Sequence, residues 1–247
     1  MGEITVVTSG KGGVGKSTVA AGLGAALARR GRRVLLVDGD VGLRSLDIIL
    51  GITEKMVFDI SDVMLGNCQP LEAVYECPSC SGLFLLSAPQ DHKSTISPEL
   101  MQRLIFAMNK VYDHVLIDCP AGLGRGFYSS IAPATNAIIV ATVDPVSLQD
   151  AGKVHKQLLG EGIDRQRLLI NRFNRSTFRK LKHYKDLDEV VDVTETQLIG
   201  IVPEDFEAQV CYTKGVALSN RALAGKAFDN VAARLEGVDA PLLRVLQ

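Results

Sequence analysis

Gly10-Lys11-Gly12-Gly13-Val14-Gly15-Lys16-Ser17-Thr18 fits the pattern G-x-x-x-x-G-K-[ST], and its flanks decide the fold. Before it, Glu3–Thr8 (EITVVT) is short, β-branched and bounded by Ser9-Gly10, the profile of a buried strand. After it, Ser17–Arg30 keeps Ala and Leu at helical spacing and stops at Gly31. A strand, a glycine-rich turn and a helix in that order make a phosphate cradle. The glycines let backbone N–H groups face inward around phosphate oxygens, and the helix adds its positive N-terminal end. With glycine at about 7% of average composition, a chance match in a chain of this length is on the order of 1%. The strand–loop–helix context lowers that further.

Working outward, Arg33–Val37 (RVLLV) reads as a second buried strand, running into Asp38-Gly39-Asp40. Leu83–Ser87, His114–Ile117, Ala137–Thr142, Arg167–Ile170 and Leu198–Val202 repeat the pattern, with helical segments between most of them. Strands that are apolar on both faces and joined by helices predict an α/β fold, a mostly parallel twisted sheet with helices on both faces. Right-handed crossovers then put the loops that follow the strands along one edge, where open α/β sheets bind ligands. Residues 1–236 read as one domain of this kind and 237–247 as a short C-terminal tail.

The bulk numbers narrow the partners. The 247 residues are 47% apolar and 22% charged, enough for a substantial core. A net charge of −1 gives no electrostatic footprint for nucleic acid. The basic run Arg29-Arg30-Gly31-Arg32-Arg33 reads as a solvated helix end with a glycine stop. Met1-Gly2-Glu3 leads straight into a strand, and no apolar stretch of about 18 residues is present. Five scattered cysteines, an odd number, complete the expectation of a reducing cytoplasm.

Chemistry concentrates on the predicted loop edge. Lys16 is expected to reach the β and γ phosphates of a nucleotide, and the Ser17 hydroxyl to ligate Mg²⁺. The backbone from Gly12, Gly13, Val14 and Gly15 through Thr18 forms the rest of the cradle. Lys11 is a second lysine within the loop. Asp38, Asp40 and Asp118 sit at strand ends, where lone aspartates are usually turn or cap residues. Three such carboxylates on the edge that carries the phosphate loop suit Mg²⁺ contacts, direct or through water, and orientation of an attacking water. Cys119-Pro120-Ala121-Gly122-Leu123-Gly124-Arg125-Gly126 follows Asp118 as a flexible segment suited to sensing a γ-phosphate. Cys77-Pro78-Ser79-Cys80 is half a metal site at most, with a surface loop as the plainer reading. The histidines His92, His114, His155 and His183 are dispersed and suggest no site.

GKGGVGKST, VDGDVGLRSLDIILG (Val37–Gly51), IDCPAGLGRGF (Ile117–Phe127) and IVPED (Ile201–Asp205) together resemble the MinD/ParA family of deviant Walker-A ATPases. The similarity runs from about residue 2 to about residue 242. The second motif points to the septum-placing branch, because chromosome-partitioning relatives usually carry Asp-Pro-Gln after that strand. The resemblance implies ATP and Mg²⁺ as cofactors and an ATP-dependent homodimer with slow basal turnover. Lys11 would reach the phosphates bound by the opposite subunit. Asp40 would orient the attacking water, and Asp118 would touch Mg²⁺ through water. Asn171, Arg172 and the backbone around Pro203 would lie beside the adenine.

The resemblance also implies a MinC-like division inhibitor, a MinE-like activator and attachment at the inner face of the cell membrane. That attachment uses a basic amphipathic C-terminal helix, where this sequence has only Leu242-Leu243-Arg244-Val245-Leu246-Gln247; membrane binding is therefore expected to be weak or lost. Asp144-Pro145 stands where relatives commonly show Pro-Glu, which puts a cross-subunit contact there in doubt. Three alternatives compete: a flagellar or other cargo-positioning ATPase, a metallocluster-assembly ATPase using Cys77 and Cys80, and a DNA partitioner. The flagellar group commonly carries a segment before the phosphate loop, and here that loop begins at residue 10.

Overall fold

The computed structural model describes residues 2–42, 44–91 and 96–243. Its strands are β1 (Glu3–Thr8), β2 (Val34–Asp38), β3 (Val74–Glu76), β4 (Leu83–Leu86), β5 (His114–Asp118), β6 (Asn136–Ala141), β7 (Arg165–Phe173) and β8 (Leu198–Pro203). They form one sheet in the order β3-β4-β2-β5-β1-β6-β7-β8. Every pairing is parallel except β3 with β4. The helices are α1 (Lys16–Arg29), α2 (Leu46–Leu50), α3 (Ile60–Leu65), α4 (Pro98–Met108), α5 (Arg125–Ile131), α6 (Pro145–Gly160), α7 (Arg175–Leu181), α8 (Leu187–Thr194), α9 (Phe206–Thr213) and α10 (Leu223–Leu235).

Strand alternation divides the core into two layers. Val7, Leu36, Leu116, Val140 and Leu169 face α1 and α10, meeting Leu23, Leu27, Phe228 and Val231. Val6, Leu35, Val115, Ile117, Ile139 and Ile170 face the other way, onto Leu104, Ile105, Phe127, Leu148 and Val154 of α4, α5 and α6. Each such side chain contributes roughly 1.5–3 kcal/mol by leaving water. The three-layer α/β architecture expected from the apolar strands is the one observed.

The differences are local and have physical reasons. The second strand starts and ends one residue later than expected. The Arg33 N–H is held by the Asp113 carboxylate at 2.8 Å, and its guanidinium lies over Tyr112 and Phe84, outside the ladder. Asp38 is thereby a strand residue, in register with Asp118. The seventh strand is longer than Arg167–Ile170, because its first half alternates exposed Arg165 and Arg167 with buried neighbours. The antiparallel edge strand β3 has no counterpart in the sequence reading. The Cys77–Cys80 segment is the turn of that hairpin, a surface loop with Pro78 and Ser79 exposed, although Cys77 itself is buried, its N–H donating to Leu83 O at 2.8 Å.

The basic run is exposed as expected, with Gly31 just past the end of α1, and it is also paired. Glu236 accepts from Arg30 Nε at 2.5 Å and from Arg32 Nε, while Arg29 pairs with Asp229 at 2.6 Å. After α10, Ala240 is buried and its carbonyl accepts from Arg234 Nε at 2.8 Å. Leu242 and Leu243 pack on the domain. Arg244, Val245, Leu246 and Gln247, on which the membrane expectation turned, lie outside the described residues, as does His92. Among the described residues no helix is long and apolar enough to cross a membrane.

Candidate functional site

Because β1, β2 and β5 are neighbours running the same way, their C-terminal ends bring Ser9–Ser17, Asp38–Asp40 and Asp118 to one corner. The loop is shaped by close approaches. A Cβ on Gly10 would lie 2.6 Å from the backbone carbonyl of Asp150 on α6. Gly15 has φ 93°, and a Cβ there would meet Asn171 Nδ2 at 2.5 Å. That same Asn171 amide donates to Val14 O at 2.8 Å, so β7 buttresses the loop from behind. Lys16 is 8% exposed and rests on Ser9 Oγ at 3.1 Å, whose hydroxyl donates to Lys11 O at 2.8 Å. Lys11 points outward, and its Nζ meets Asp144 Oδ1 at 3.2 Å.

The carboxylates are held where charge is costly. Asp38 is fully buried, accepting from Asp40 N at 2.9 Å and Leu46 N at 3.4 Å. Burial lifts its pKa to about 6 despite those bonds. Asp118 is 1% exposed, and its Oδ1 has no hydrogen-bond partner. Burial raises its pKa to about 8, the charge of Asp38 adds to this, and Ser17 and Lys16 only partly offset it. Asp40, half-buried, is also raised by burial and eased by Lys16.

An unsatisfied buried carboxylate oxygen beside a second carboxylate, with Ser17 at hand, suits a hard divalent cation. Among the described residues no group of three or more His, Cys, Asp and Glu is arranged to hold a metal. Mg²⁺ fits that pattern, since it usually takes one or two carboxylates and completes its shell with phosphate and water.

A cleft of about 390 Å³ opens from this corner toward β8, and Thr18, Asn171, Arg172 and Pro203 all line it. Its far wall, Gln209, Tyr212 and Thr213 of α9, is absent from the sequence reading. Tyr212 is buried and its hydroxyl donates to Thr18 O at 3.3 Å, tying α9 to α1. The legible signal was Asp205 in IVPED. It caps α9 by accepting from Glu207 N at 2.9 Å and reaches Ala224 N at 2.9 Å. Lys11, Asp40 and the loop thus share one corner, Asn171, Arg172 and Pro203 share the cleft beside it, and Cys77 and Cys80 lie elsewhere, in the β3–β4 turn. Burial raises the Cys80 thiol to about 11, so it resists becoming the thiolate a metal would need.

Residues 5–216 match the model of the CobQ/CobB/MinD/ParA nucleotide binding domain. The septum site-determining protein MinD of Synechocystis sp. is 40% identical, over 98% of this chain and 92% of that protein. The MinC:MinD cell division protein complex of Aquifex aeolicus contains a chain of 34% identity with a TM-score of 0.89, covering 97% of this chain and 98% of that one. Septum site-determining MinD of Pyrococcus horikoshii, complexed with Mg-ADP, is 28% identical with a TM-score of 0.83, covering 96% of each chain. With a nucleotide-binding fold, a phosphate loop flanked by buried strand-end carboxylates and this likeness over nearly its whole length, the chain belongs to the MinD family of septum site-determining ATPases.

Proposed function

We propose that this protein is an ATP-driven dimerisation switch that takes part in placing the division septum. The observation that carries the reading is the Asp38–Asp118 pair: two buried carboxylates, one with an unpartnered oxygen, set against Lys16 and Ser17. Such a corner is incomplete by itself and is completed by Mg²⁺ and a triphosphate. Ser17, with Asp38 and Asp118 partly through water, would hold Mg²⁺, which would neutralise phosphate charge. Lys16 leaves Ser9 for the β and γ phosphates, the N–H groups of Gly12 to Thr18 cradle them, and Asp40 orients the attacking water. Asn171, Arg172 and Pro203 border the base. Lys11 supplies charge across the interface to the γ-phosphate of a second copy, so ATP favours the dimer by binding it better than the monomer.

Residues 1–236 act as one ATPase domain and 237–247 as a tail. Basal turnover is slow and is raised by a MinE-like partner, while the ATP dimer recruits a MinC-like inhibitor. The protein works in the cytoplasm, its attachment to the inner face of the cell membrane weak or lost, and needs no nucleic acid. Light scattering with ATP and with ADP tests the switch. Lys11→Ala binds ATP without dimerising, and Asp40→Ala stays dimeric in ATP because hydrolysis stalls. A Lys11→Ala protein that dimerises like the parent sinks the trans-lysine role. Flotation of Asp40→Ala with anionic vesicles in ATP against ADP tests membrane recruitment separately.

A further inference from the structure

We propose that Asp144 is a positioning residue for Lys11, holding the loop lysine on its own subunit until a phosphate of a second copy displaces the carboxylate. This rests on the reading of Lys11 as the trans-acting lysine.

The carboxylate side of the pair is fixed. Asp144 is the N-cap of α6, its Oδ1 accepting from Ser147 N at 3.0 Å, and its Oδ2 accepts from Thr142 Oγ1 at 2.6 Å. Ser147 Oγ in turn accepts from Thr142 N at 3.0 Å, and Pro145 stiffens the first helical position. Burial pushes the Asp144 carboxyl up, and the bonds from Thr142, Ser147 and Lys11 outweigh that, leaving it below the usual carboxylate range. The lysine side is free to move: Lys11 lies on a glycine loop with its side chain 44% exposed. An exchange of partners therefore moves Lys11 and leaves α6 in place.

The exchange also has a sign. A carboxylate 3.2 Å from the ammonium repels an arriving triphosphate and occupies one of its donors. Asp144 thus opposes dimerisation, once in each subunit.

Asp144→Asn is the informative change, because asparagine caps helices as well as aspartate: its one Oδ1 keeps the bond from Ser147 N, and its Nδ2 donates to Thr142 Oγ1, which turns to accept. The dissociation constant of the ATP dimer is measured by sedimentation at low and high salt. In parallel, the Lys11 ammonium of the ADP-bound monomer is labelled with trace acetic anhydride and read by mass spectrometry. The expected result is a dimer tighter by about 2-fold to 20-fold, the range set by two exposed ion pairs, with the gain shrinking at high salt. Lys11 labelling rises by about 2-fold or more as its partner is lost. A weaker dimer, or a tighter dimer with unchanged Lys11 labelling, overturns the latch. Lys11→Ala serves as the control: if it dimerises like the parent, the trans-lysine reading itself fails, an outcome distinct from failure of the latch alone.

Discussion

Where the strands begin, Glu236 takes Arg30 and Arg32 together and Arg29 pairs with Asp229, all at or near the surface; where they end, Asp38 and Asp118 lie side by side in the interior with Lys16 resting on a serine. Both ends carry ionisable side chains, yet only the first has paired them with opposite charge. Ion pairs near water add little to stability and ask little of their surroundings. Buried carboxylates without cations cost stability, and the fold tolerates them because close packing on both faces of the sheet outweighs the loss. The comparison separates charge that fastens a helix from charge kept in readiness for a ligand.

Three measurements press on that contrast, and the first carries the largest effect. Lys16→Ala should lower ATP turnover on the order of 100-fold or more while leaving the fold intact. Retained turnover would mean that the buried corner is structural. The second concerns pH. Asp38 and Asp118 hold protons in the folded chain up to about pH 6 and 8, well above the ordinary carboxylate value from which both start. Between those limits the folded state binds more protons than the unfolded one, so their contribution is full in acid and lost as pH rises. In EDTA, stability should fall by about 1 kcal/mol per pH unit from pH 6 to 8 and level off above. His114, whose pKa burial lowers, pulls the opposite way near pH 6, so the clean quantity is the parent minus Asp118→Asn. Equal slopes in the two proteins, from denaturant midpoints across pH, would remove Asp118 as the source. The third effect is the smallest: Glu236→Gln should lower the melting temperature by at most about 3 °C and leave nucleotide binding unchanged.

What could be read in advance follows the same division. The loop from Gly10 to Thr18 was legible because fixed spacing on a strand and a helix leaves the backbone no other arrangement that places inward N–H groups. Asp38 and Asp118 were legible because apolar strands end abruptly at a charge. Their in-register pairing was not, since it depends on β2 and β5 being neighbours although separated by β3 and β4 in sequence. Glu236 lies on the order of 200 residues from its arginines, and no local pattern links them. Tyr212 and Gln209 sit on a short helix whose apolar residues make no clean stripe, so the α9 wall of the cleft could not be told from ordinary packing. The three residues of β3 offer too little periodicity to be read as a strand at all.

Where Asp38 stands beside Asp118, the ladder runs one step further, with Gly39 N donating to Asp118 O at 2.9 Å. The segments leaving these strands, Gly39–Asp40 on one side and Cys119–Gly124 on the other, start from a single joint. A shift of either one strains the same hydrogen bond.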